Sequence, residues 1–121
     1  MKILADQHCI PCRGGVPALK GDQLGPYAEQ LPDWKIVEEH HLAKSFRFAD
    51  FKTGLDFVNR VGAVAEEEGH HPDLCLEWGK VEVRIYTHVA RGLTENDFIL
   101  AAKIDRVYLE GPRVEGPRPQ S

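Results

Sequence analysis

His70-His71-Pro72 and, eighteen positions after His70, His88 bring together three of the six histidines of this chain. Imidazole is the side chain that gains and loses a proton near neutral pH. Rings sharing one cleft could supply both a general acid and a general base. Two carboxylates stand where they could serve them. Glu66 precedes His70 by four positions, on the same helical face if the last turn holds, and could orient an imidazole. Asp97 follows His88 by nine and reads first as a helix cap that could also line a site. No serine or cysteine is placed beside this group by its spacing, so nucleophilic catalysis is not indicated. Two histidines and a carboxylate also form a familiar metal-binding set. Adjacent residues of an extended segment point to opposite sides, however, so His70 and His71 do not readily share one ion, and no metal is expected.

The surrounding elements must decide whether the rings meet. Phe51, Leu55, Val58, Gly62 and Ala65 form one stripe of a helix beginning at Asp50, with Phe57, Val61 and Val64 beside it. So wide an apolar arc suits a helix that meets its own sheet on one side and a second subunit on the other. Gly69 is placed to end that helix in a left-handed conformation, and Pro72 favours an extended His71.

Next comes a hairpin. Leu74, Leu76 and Trp78 alternate with Cys75 and Glu77, and Val81, Val83 and Ile85 alternate with Glu82, Arg84 and Tyr86. Gly79-Lys80 as a two-residue loop predicts Trp78 opposite Val81, Leu76 opposite Val83 and Leu74 opposite Ile85. The same register, carried two and then three residues further, pairs Pro72 with Thr87 and His71 with His88, at about 4.5–5.5 Å between Cβ atoms. Trp78 then belongs to the apolar ladder.

Before these elements, a short helix is predicted over Gln23–Leu31 and strands over Trp34–Val37 and Phe46–Phe48. His40 and His41 read as solvated residues of the turn between the strands. A last helix begins at Thr94, with Thr94 and Asp97 as a capping box and Leu93 with Phe98 as a hydrophobic staple. Strand–strand–helix thus occurs twice. The expected fold is a two-layer α+β sandwich, a four-stranded antiparallel sheet with helices packed on one face. Residues 1–21 read as an irregular lead-in, 22–110 as one domain, and 111–121, rich in proline, as a flexible tail.

Composition narrows the function classes. The 121 residues are 42% hydrophobic and 28% charged, with 15 basic and 19 acidic residues interspersed. No basic stripe is present, so no direct nucleic-acid partner is expected. No apolar run is long enough for a membrane span and no export signal is read at Met1–Asp6, so a cytoplasmic protein without a membrane partner is expected. Three cysteines argue against a disulfide framework. Cys9-x-x-Cys12 lies in a Gly/Pro-rich stretch, without the helix start that activates a redox pair or a second pair to complete a zinc site, and reads as reduced and inert.

Glu66-x-x-x-His70-His71-Pro72, then Trp78, His88 and Asp97 at their spacings, resembles the pattern of the pterin-4a-carbinolamine dehydratases, over about residues 22–108. Cys9-x-x-Cys12-x-Gly14-Gly15-x-Pro17 and Leu31-Pro32-x-Trp34 resemble bacterial members of that family. The resemblance implies dehydration of a 4a-hydroxytetrahydropterin to the quinonoid dihydropterin, recycling the cofactor of aromatic amino-acid hydroxylases, with no metal or redox cofactor. It implies that His70 and His88 are the acid–base partners and that His71 orients the pterin. Glu66, Pro72, Trp78 and Asp97 would be substrate-contacting or supporting residues, and the protein a homodimer or homotetramer. Two alternatives accompany the resemblance: a non-catalytic oligomeric binding or coactivator module, and a pterin enzyme linked to molybdenum-cofactor metabolism.

Overall fold

An aspartate starts the longest helix and a glycine stops it. Asp50 Oδ1 accepts the Thr53 N–H at 2.9 Å, and α2 then runs Phe51–Glu68. Gly69, at φ 65°, turns the chain left-handed, a conformation only glycine adopts without strain. His70 therefore leaves the helix axis, its N–H still held by the Ala65 carbonyl at 3.2 Å. In the computed structural model, which describes residues 3–10 and 17–111, the other elements are α1 (Gly25–Gln30), α3 (Glu95–Glu110), β1 (Lys35–Val37), β2 (His41–Arg47), β3 (Asp73–Glu77) and β4 (Lys80–Ile85). Cys12 and the tail from residue 112 lie outside the described residues. Among those described, no helix is long and apolar enough to cross a membrane.

The strands form one antiparallel sheet in the order β1-β2-β4-β3. Leu42, Phe46, Val81, Val83 and Ile85 point from it into the core, where they meet Phe57 and Val61 of α2 and Phe98, Leu100 and Ile104 of α3. The alternate positions Lys80, Glu82 and Arg84 face away, with helices on one side alone, so the two-layer α+β sandwich stands. Thr94 opens α3 as expected: its N–H donates to Asp97 Oδ2 at 2.7 Å, and Leu93 and Phe98 are both buried. The early helix also forms, as a 3-10 turn at Gly21–Leu24 leading into α1.

The β3–β4 hairpin departs from expectation by two residues. Its loop is Trp78-Gly79, Gly79 lying at φ 70°, so Leu76 pairs with Val81 and Leu74 with Val83. A slip of two keeps every side chain on its own face, so the alternation of apolar residues could not detect it. Turn chemistry decides: the glycine takes the second loop position, and Glu77 and Lys80 close the turn, their side chains 3.3 Å apart. Trp78 thus leaves the apolar ladder and sits half-buried in the loop.

Two further expectations need correction. His41 is not a turn residue: it begins β2 opposite Val37 and is half-buried. His40 is in the turn but is also half-buried, its ring 4.6 Å from that of Tyr86. Beyond β4 the ladder does not continue to His88. A bridge between Thr87 and Gly92 closes a short loop, and His88–Ala90 forms a 3-10 turn within it.

Candidate active site

The expected cross-strand pair of His71 with His88 does not form, because the register slips and His88 lies in that loop. The three imidazoles nevertheless meet. His70, His71 and His88, with Gly69 and Thr87, line one cleft of about 320 Å³, completed by Ile10, Val89 and Asn96. That volume lies at the small end of the range for small-molecule sites, about 300–1,000 Å³. The end of α2 supplies two histidines and the loop after β4 the third.

Each histidine has a different setting. The His70 side chain is 12% exposed and its Nε2 lies 2.6 Å from Oδ1 of Asp97, which is fully buried. Asp97 also accepts from Thr87 Oγ1 at 2.9 Å, and its Oδ2 caps the Thr94 N–H. The carboxylate is therefore saturated with donors, as a buried charge requires. One residue both starts α3 and holds a cleft imidazole, so the helix cap and the contact to His70 coexist. An Nε2–H directed at Asp97 leaves Nδ1 of a neutral His70 as the ring's acceptor.

His71 is more open: its side chain is 58% exposed, and Nε2 reaches Glu66 Oε2, itself 79% exposed, at 2.5 Å. Glu66 thus serves His71 and not His70, because Gly69 has broken the last turn. His88 has no carboxylate partner among the described residues, and its ring lies 4.3 Å from that of Tyr86. Tyr86 in turn packs on His40, whose Nδ1 is 3.1 Å from that of His41. Burial first, and then the neighbouring His40, hold His41 below the ordinary histidine pKa.

Neither of the remaining candidates, Pro72 and Trp78, lines the cleft. Pro72 follows His71 directly and leads into β3, half-buried. Trp78 lies at the opposite end of the β3–β4 hairpin, and the structure does not bring it to the cleft. Five cleft residues, Ile10, Gly69, Thr87, Val89 and Asn96, are not among the site residues expected from the sequence. In the sequence Thr87 reads only as a ladder position, although a hydroxyl beside a buried Asp97 is what links loop to helix. Asn96 and Ile10 gave no signal, since they are joined across the length of the chain.

The lead-in carries Ile10 to the site. Leu4 is buried in the core, Lys103 Nζ donates to the Ala5 carbonyl at 3.0 Å, and the Cys9 N–H donates to Glu68 Oε1 at 2.7 Å. Burial alone would raise the Glu68 pKa, but the Cys9 N–H, His8 and Lys103 outweigh it and hold the carboxyl below its ordinary value. Burial first, and then that carboxylate, push the Cys9 thiol up to about 12, so it stays protonated.

Comparison with known proteins places the whole domain in a family. The family model for pterin 4 alpha carbinolamine dehydratase matches residues 17–107. A Rubrobacter xylanophilus protein named "Putative pterin-4-alpha-carbinolamine dehydratase" is 57% identical, the alignment covering 88% of this chain and 100% of that one. An Alkaliphilus metalliredigens protein of the same name is 47% identical over 91% of this chain and 100% of its own. Among solved structures, a transcriptional coactivator/pterin dehydratase from Brucella melitensis superposes with a TM-score of 0.70 at 28% identity, covering 74% of this chain and 97% of the other. A pterin dehydratase-like protein described as a RuBisCO assembly factor shares the fold at 22% identity, with a TM-score of 0.54. With the match spanning the sheet, α2, most of α3 and all three cleft histidines, the chain belongs to the pterin-4a-carbinolamine dehydratase family.

Proposed function

We propose that this protein dehydrates a 4a-hydroxytetrahydropterin to the quinonoid dihydropterin by histidine acid–base catalysis. The observation that carries the reading is the meeting of three imidazoles in one small cleft, two of them tied to carboxylates. The reaction removes water across C4a and N5. The C4a–O bond breaks as the oxygen takes up a proton, and the N5–H bond gives its electron pair to a new C4a=N5 bond. Hydroxide is a poor leaving group, so the acid is as necessary as the base.

His70 suits the base. Its acceptor nitrogen is fixed by the bond to Asp97, and a buried carboxylate behind the ring stabilises the imidazolium that forms on proton uptake. His88, without a carboxylate partner among the described residues, suits the acid that protonates the departing oxygen. His71, held by Glu66 at the open side of the cleft, orients the pterin. No metal or redox cofactor enters the balance.

The test is stopped-flow observation of 4a-hydroxytetrahydropterin breakdown with purified protein. Catalysis above the spontaneous rate is expected; a rate equal to the buffer's would reject the proposal.

Self-association belongs to the same proposal. Phe51 and Leu55 of α2 are 44% and 41% exposed, while Phe57, Val61 and Ala65 of the same helix are buried in their own domain. The expected two-sided helix thus has one side covered, and a second copy of the chain is proposed for the other. The cytoplasm is the proposed compartment.

A further inference from the structure

Ile10 is unusual among the exposed aliphatic residues. One exposed isoleucine needs no explanation, since folded surfaces are largely apolar. This one is 69% exposed on a backbone held from both sides. Its N–H donates to Asn96 Oδ1 at 2.9 Å, and its carbonyl accepts from Asn96 Nδ2 at 2.5 Å. A single carboxamide on α3 thus satisfies both backbone groups of residue 10, as a neighbouring strand would. Asn96 is 7% exposed, so its carboxamide is largely shielded from competing water.

The clamp lies beside the chemistry. Asn96 precedes Asp97, the partner of His70, and both Ile10 and Asn96 line the histidine cleft. Val89, the other exposed aliphatic lining residue, is 57% exposed. The polar side of the cleft is the histidine set, and these two side chains are its apolar surface. A flat heterocycle has polar edges for the first and apolar faces for the second.

We propose that Ile10 is a substrate-contacting residue whose side chain packs on the face of the pterin ring, and that Asn96 is the positioning residue that holds it in the cleft. This assignment rests on the dehydratase reading. The lead-in then acts as a strap: anchored along α3, it delivers one aliphatic wall to a site otherwise built from the ends of α2 and β4 and the start of α3.

The test compares Ile10→Ala, Asn96→Ala, their double variant and Ile3→Ala in the full-length protein. Ile3 is a suitable control, exposed on the same lead-in but outside the histidine cleft. Ile10→Ala is expected to raise KM about 10-fold with kcat within about 2-fold, the signature of lost uniform binding. Asn96→Ala should do the same, and the double variant should be no worse than Asn96→Ala, because both remove one contact. Ile3→Ala should match the wild type. An unchanged KM in Ile10→Ala, a loss confined to kcat in Asn96→Ala, or additive losses in the double variant would overturn the proposal.

Fluorescence titration with 7,8-dihydropterin, a flat ligand with no hydroxyl to lose, separates this proposal from the reading beneath it. Absent turnover with dihydropterin affinity about 10-fold weaker in Ile10→Ala would reject the dehydratase and keep the Ile10 assignment. Turnover and affinity indifferent to Ile10 would keep the dehydratase and reject the assignment. A wild type that neither reacts nor binds would reject both.

Discussion

Nε2 of His70 sits 2.6 Å from Oδ1 of Asp97, and the same carboxylate caps the helix whose first turn also presents Asn96. Stability and the proposed proton transfer therefore share one buried side chain. Asp97→Asn cannot accept from His70, Thr87 and Thr94 at once without aiming its NH₂ at a donor. Turnover should fall about 10²–10⁴-fold, and stability should fall by about 1–3 kcal/mol through the unmatched buried group. Glu66→Gln, at an exposed pair, should cost less than about 1 kcal/mol and reduce turnover far less. Initial rates and urea unfolding of both variants check this contrast; equal losses would contradict it.

The β1–β2 turn stores strain that a substitution can release. Glu38 and Glu39 have φ values of 52° and 56°, a left-handed pair normally filled by Asn and Gly. Glu39 also accepts the Gly21 N–H at 3.1 Å, so Glu38 is the residue to replace. Glu38→Gly should stabilise the fold by about 0.5–1 kcal/mol, read as a higher denaturant midpoint with an unchanged slope.

His41 makes stability depend on pH. Its folded pKa is depressed, by burial first and then by His40, so the unfolded chain binds the proton more readily. The contribution of neutral His41 is then complete above the ordinary histidine value of 6.5 and is lost as pH falls through the lower folded value. Unfolding midpoints should decline as the pH falls from 6.5 towards the lower folded value, and His41→Gln should flatten this decline. Equal slopes for the two proteins would remove His41 from the account.

The exposed side of α2 supplies a test of self-association. Leu55→Asp leaves the buried Phe57–Val61 side untouched, so the fold should persist while the sedimentation coefficient falls to that of a monomer. A wild type that already sediments as a monomer would contradict the proposed second copy.

Much of this architecture was legible because local signals and packing agreed. Asp50 and Gly69 bracket α2, Thr94 and Asp97 start α3, and the apolar alternation of β4 fixes which face is buried. The hairpin register was not legible, since the Val and Leu pattern is unchanged by a slip of two and Gly79 could occupy either loop position. The meeting of His70, His71 and His88 was anticipated for a geometric reason that fails. They meet because Gly69 redirects the chain at the end of α2 and the Thr87–Gly92 bridge folds His88 back. Ile10 and Asn96 carry no local pattern at all; a contact between backbone and carboxamide across the whole chain exists only after folding.

The most direct test of the central claim is the pre-steady-state rate of 4a-hydroxytetrahydropterin breakdown by chelator-treated wild type, His70→Ala and His88→Ala. The account predicts full activity in the wild type after chelation and a loss of about 10²–10⁴-fold in each variant. Undiminished breakdown by both variants would contradict it, as would a wild-type rate that disappears with the chelator.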